Sequence, residues 1–202
     1  NTSMCQVYNH NYAAALASSK KAQTYYPDKS SSILASKQQE FYALFYSEQY
    51  KLANEVVKEL LNSSIVNSGD FRYDKFLFLN ACTLFKLGFH EDAMSVCNRT
   101  LEINKDKVRW DIGVRYLKFM CLVELNDFDA AQKCVEAYRQ ILKRKKQTIS
   151  SRDELIYKLL NEYCRKGLSS NPSVKLETFW KKLTSINDAN YWNYYTHELI
   201  PI

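Results

Sequence analysis

The sequence predicts an all-α solenoid of antiparallel helix-turn-helix repeats, and three observations carry that prediction. Its 202 residues include only four glycines and three prolines, too few for the dense turns of an all-β chain. A ring-bearing residue followed three positions later by alanine recurs four times, as Tyr12 and Ala15, Tyr50 and Ala53, His90 and Ala93, and Phe128 and Ala131. The alanines are 38, 40 and 38 residues apart, a period that marks a stacked repeat. Each pair also stands between two apolar segments with three- and four-residue spacing, the signature of amphipathic helices.

The elements follow in order. Residues 1–9 supply part of a leading helix, and "HNYAAALASS" opens its partner. Phe41, Leu44 and Phe45 stripe the next leading helix, and Val56, Val57, Leu60 and Leu61 stripe the helix after Ala53. In the third unit Phe76, Leu77, Ala81, Leu84 and Phe85 precede Gly88, while Val96, Cys97, Thr100 and Leu101 follow Ala93. In the fourth, Tyr116, Phe119, Met120 and Val123 precede the turn, and Cys134, Val135, Tyr138, Ile141 and Leu142 follow Ala131. The junctions "YSEQYK", "KLGFHED" and "ELNDFD" are short enough to force antiparallel helix pairs. An alanine just inside the second helix lets the two backbones approach, with the ring packed across the turn. "NSSIVNSGD" and "NKDKVRWD" read as longer loops between units.

Residues 1–146 thus form four hairpins, the first truncated, and residues 147–202 continue the same solenoid. "SSRDELIYKLLNEYCRKG" is an amphipathic helix, and "SVKLETFWKKLTSI" follows Pro172 as another, completing a degenerate fifth hairpin. The last stretch reads as a short capping helix with Trp192, Tyr195 and Leu199 on one face, as a terminal repeat requires.

A small residue at the turn, a ring two positions on and an alanine three after that resemble the tetratricopeptide repeat (TPR) family. "GFHEDA" carries Gly88, His90 and Ala93 in that order, and "NDFDAA" carries Asn126, Phe128 and Ala131. The resemblance spans roughly Gln6 to Lys146, with a period longer than the family's usual ~34 residues, which implies longer helices or loops. It implies a right-handed superhelix whose leading helices line a concave face that binds a protein or peptide segment. Within "FYALFYSEQY" and the residues just before it, the buried stripe leaves Gln38, Tyr42 and Tyr46 as outward-facing candidates for that contact. Tyrosine suits the role because it buries much area with few rotors to freeze.

Catalytic chemistry is not expected. His10 and His90 lie at inter-helix turns, and His197 in "THEL" lacks the second histidine of a metal-binding H-E-x-x-H helix. All four glycines are isolated, so no phosphate-cradling loop forms, and Glu91 and Asp92 fall in a first helical turn that favours negative charge. No metal or cofactor is expected. The six cysteines contain no C-x-x-C pair and each falls in an apolar helical pattern, so all are expected to be small buried hydrophobes in a reducing, cytoplasmic compartment.

Charge points to a second function class. Arg139, Lys143, Arg144, Lys145, Lys146 and Arg152 form a run without an acid, and outside it basic and acidic residues balance at 22 each. Such a run is either a helix end complementing its dipole or a patch for nucleic acid or an anionic surface. It holds no interleaved aromatic residue of the kind that single strands stack on. No apolar run is long enough to span a membrane. The chain begins without methionine or a signal-peptide pattern, so a fragment or processed form is expected, and its Asn-, Lys-, Tyr- and Ser-rich composition points to a low-GC bacterium.

Overall fold

The computed structural model describes residues 2–27, 30–100, 110–144, 151–166 and 174–185. Those residues form ten helices and no strand. They are α1 (Thr2–Tyr8), α2 (Tyr12–Gln23), α3 (Ser31–Tyr46), α4 (Tyr50–Leu61), α5 (Phe71–Lys86), α6 (His90–Asn98), α7 (Trp110–Glu124), α8 (Phe128–Arg144), α9 (Ser151–Lys166) and α10 (Val174–Ser185). Consecutive helices pair as hairpins, and the chain divides into two compact units after Asp111.

Four hairpins share one hinge. Asn9-His10-Asn11, Ser47-Glu48-Gln49, Leu87-Gly88-Phe89 and Leu125-Asn126-Asp127 each turn the chain through a central residue with positive φ. Those angles are 56° at His10, 61° at Glu48, 84° at Gly88 and 59° at Asn126. The left-handed residue lets two carbonyls of the first helix be capped at once. The Gly88 N–H donates to Phe85 O at 3.0 Å and the Phe89 N–H to Leu84 O at 2.9 Å. The equivalent pairs recur at His10 and Asn11, at Glu48 and Gln49, and at Asn126 and Asp127.

The third hinge residue then starts the second helix, because its carbonyl accepts the N–H of the repeat's alanine. Ala15, Ala53, Ala93 and Ala131 donate to Asn11, Gln49, Phe89 and Asp127 respectively. Asn11 and Asp127 also cap with their side chains, accepting from the Ala14 and Ala130 N–H groups. All four alanines have zero exposure, as a close backbone crossing requires. The ring three residues earlier packs back onto the first helix: Tyr50 meets Phe45 edge-on at 5.5 Å, and His90 meets the equivalent Phe85 at 5.1 Å. Phe128 is half-buried at the fourth copy of this position.

In the first unit the core is built from Phe41, Val57, Leu60, Phe76, Phe78 and Leu79, each 1% exposed or less. In the second, Ile112, Tyr116, Val135, Tyr138, Ile156, Leu160 and Leu183 form one cluster. That cluster holds a polar pin. The Tyr116 and Tyr138 hydroxyls lie 2.7 Å apart, Tyr116 donates to Asp153 Oδ1 at 3.2 Å, and Tyr138 reaches Asp153 O at 3.3 Å. The first turn of α9 is thereby fastened to α7 and α8.

Several details differ from what the sequence predicts, and Cys134 and Cys164 are half-buried where burial is expected. Cys5 is exposed, because α1 is seven residues long and buries only Ser3 and Val7. Trp110 opens α7 instead of closing a loop; its ring sits edge-on to Phe71 and Phe78, and that burial commits it to the helix start. The predicted capping helix, Trp192 and Leu199 included, lies outside the described residues.

Gly88→Ala should cost about 1 kcal/mol in urea unfolding, because an L-residue is strained at that φ while its Cβ would meet nothing within 4 Å. Tyr138→Phe should cost about 1–2 kcal/mol by the same assay, since it removes a donor from a buried network and leaves its partners short.

Candidate partner-binding surface

The three residues singled out for partner contact all lie on α3, and the structure separates them. Tyr42 is fully buried, not outward-facing. The sequence reading allowed α3 a single buried stripe, but the helix packs against α1 and α2 as well as α4. Burial therefore runs around it: Ile33, Leu34, Ser36, Gln39 and the five residues Phe41 to Phe45 are all enclosed. Gln38 and Tyr46 are half-buried. The Gln38 Nε2 donates to the Tyr42 hydroxyl at 3.1 Å, so the buried ring is tied to a residue that reaches solvent.

Tyr46 sits within a run of stacked rings. Its centroid lies 6.3 Å from Tyr42 at an interplanar angle of 17°, and 6.3 Å from Tyr12 at 24°. His10 continues the run edge-on to Tyr12, with its Nδ1 2.9 Å from the Tyr12 hydroxyl. Tyr12 entered the sequence reading only as a repeat-defining ring, and its stack on Tyr46 was missed. No local spacing signals that contact, because it joins the first residue of α2 to the last residue of α3.

The basic segment is only partly described. Arg139 is committed to Glu136, with its Nη2 2.6 Å from Oε1, and this hydrogen bond, aided by Gln140, holds the Glu136 carboxyl below its ordinary range. Arg144 turns its Nε back to Gln140 O at 3.3 Å, and Arg152 donates to Leu183 O at 3.2 Å. Lys143 and Arg144 are exposed in the last turn of α8, where they complement the helix dipole. Lys145 and Lys146 lie outside the described residues.

Elsewhere the chemistry is subdued. Burial pushes the Cys121 thiol up to about 12 and raises Cys134 and Cys164, which keeps them protonated and weakly nucleophilic. Among the described residues no group of three His, Cys, Asp or Glu could hold a metal ion, and no helix is long and apolar enough to cross a membrane. His197 is outside the described residues.

No family model matches the chain, and no curated protein matches it. Solved structures do. Nearly identical TPR-like repeats from a Podosopora anserina protein assigned as a kinesin light chain superpose with a TM-score of 0.66, and a point-substituted form of them with 0.67. Each alignment covers 91% of this chain and 90% of the other at 11% identity. The fold is that of a TPR-like helical repeat. At that identity the likeness extends to the TPR-like architecture alone.

Lys75 is the most perturbed cation described. Burial, with like charge from Arg72 one turn earlier, lowers its ammonium to about 8. Its Nζ lies 4.8 Å from the Trp110 ring centroid, an attraction that opposes part of that shift. Between about 8 and 10.5 the unfolded chain binds a proton that the folded chain has shed. The contribution of Lys75 to stability therefore rises with pH through that window and is lost as pH falls through about 8. Subtracting the stability curve of Lys75→Met from that of the parent chain should give a positive slope there.

Proposed function

We propose that the chain is a non-catalytic scaffold that binds a peptide or partner segment along the face of its leading helices, with Tyr46 and Gln38 as contacts. The observation that carries this reading is the stack of Tyr12, Tyr46 and Tyr42. A ring stacked against two others and still half-exposed is already ordered, so a partner packing on it freezes little additional motion. Tyr42 contributes from beneath: it is a support for Tyr46 and for the Gln38 amide, not a contact. The TPR-like architecture supports a protein partner, because arrays of stacked hairpins present long surfaces suited to extended segments.

The test is partner recovery by pull-down with Tyr46→Ala, alongside Gln38→Ala, in chains whose helix content by circular dichroism equals that of the parent. Tyr46→Ala should weaken recovery by about tenfold or more, as expected for an aromatic hot spot. Undiminished recovery by both variants would remove this face from consideration.

A further inference from the structure

Lys75 is held in surroundings that suit its neutral amine better than its ammonium. It projects from the second turn of α5 and is half-buried, with its Nζ 4.8 Å from the centroid of the Trp110 ring. Phe71 and Phe78 meet that ring edge-on at 6.5 and 5.8 Å, so the nitrogen rests on an aromatic cluster. Arg72, exposed three residues earlier, lies on the same side of the helix and opposes it with like charge. Of the charged groups on α4, α5 and α6 and at the start of α7, Arg72 alone acts on Lys75. Neither cation makes an ion pair among the described residues. Asp74 and Asp111 are buried in the first turns of α5 and α7 with contacts of their own.

An amine so placed is a nucleophile near neutrality, where a far larger share of it is unprotonated than of an ordinary lysine. Its electrophile must reach a half-buried nitrogen lodged against aromatic rings, which favours a reagent that is small and uncharged. Carbon dioxide is both. The nitrogen lone pair attacks its carbon, one C–O π pair moves onto oxygen, and the nitrogen releases a proton to water. An amine and carbon dioxide thus become a carbamate anion and a proton, with no atom oxidised or reduced. The product inverts the local charge, so the repulsion from Arg72 turns into attraction. The new carboxylate also lies near the N-terminal end of α5, where negative charge is favoured. Both effects offset the loss of the attraction between the ammonium and the Trp110 ring.

We propose that Lys75 is a carbon dioxide site, its side-chain nitrogen taking up the gas as a carbamate whose carboxylate pairs with Arg72. The modification is reversible and needs no enzyme, because protonation at nitrogen and cleavage of the new C–N bond return the amine and the gas. It is independent of the partner reading for Tyr46, since no step involves a bound segment.

The test equilibrates the full chain near neutral pH with isotope-labelled carbon dioxide and bicarbonate. Triethyloxonium then esterifies any carbamate to a stable ethyl carbamate, which peptide mapping by mass spectrometry assigns to a residue. Lys75 should be labelled about tenfold or more above the exposed Lys51 and Lys86. The α-amino group of the chain, which titrates in the same range, should be labelled as well and serves as the internal reference. Arg72→Gln, in a chain of unchanged helix content by circular dichroism, should cut Lys75 labelling about fivefold or more while sparing the α-amino group. Unfolding in guanidinium chloride should bring Lys75 down to the level of Lys51. Labelling of Lys75 no greater than that of Lys51 in the folded chain overturns the proposal, as does labelling that persists on unfolding. Undiminished labelling in Arg72→Gln overturns it too, because the counter-charge would then have no part in holding the carbamate.

Discussion

One backbone sign holds the hairpins together. A single left-handed residue after each leading helix closes two hydrogen bonds backward and sets the next carbonyl to begin the following helix. Helix end, reversal and helix start share three residues, so the two helices have almost no freedom in their relative direction. The repeat's alanine, whose N–H bonds to the last hinge carbonyl, is then delivered to the crossing point, where any larger side chain would separate the backbones. Ring and alanine are consequences of the hinge geometry, and the buried stripes are assembled around the crossing that it fixes.

Packing beyond the hairpin explains where polar groups can be tolerated. A helix with neighbours on two sides must bury most of its circumference, and α3 encloses Ser36 and Gln39 along with its aromatic residues. Serine manages this by bonding back to its own helix, which costs little. Tyrosine manages it by reaching another hydroxyl or an amide, as Tyr116 and Tyr138 do with one another and Tyr42 does with Gln38. The tyrosine-rich composition thus serves burial and surface at once, and one α3 face carries both uses.

Much of this was legible in the sequence because hinge, ring and alanine repeat at fixed spacing. Ala15, Ala53, Ala93 and Ala131, read as crossing residues, are all at zero exposure. His90 packs on Phe85 as a ring in the repeat's aromatic position should. Exposure was less legible. Periodicity reports how a helix meets one neighbour, and α3, which carries Tyr42, has further neighbours in the preceding hairpin. Cys5 fails in the opposite sense, its apolar-looking context being too short a helix to cover it. The stack of Tyr12 on Tyr46 depends on two hinges lying side by side, which no local pattern encodes.

Only one of these four hinges has glycine at its centre; the others use histidine, glutamate and asparagine. The requirement is conformational, and each departure from glycine carries a small penalty that stays within one repeat. An array of this kind can therefore drift in sequence one hinge at a time while its architecture stands still. A requirement on torsion angles and not on letters lets a TPR-like fold extend across 91% of this chain at only 11% identity to a solved neighbour.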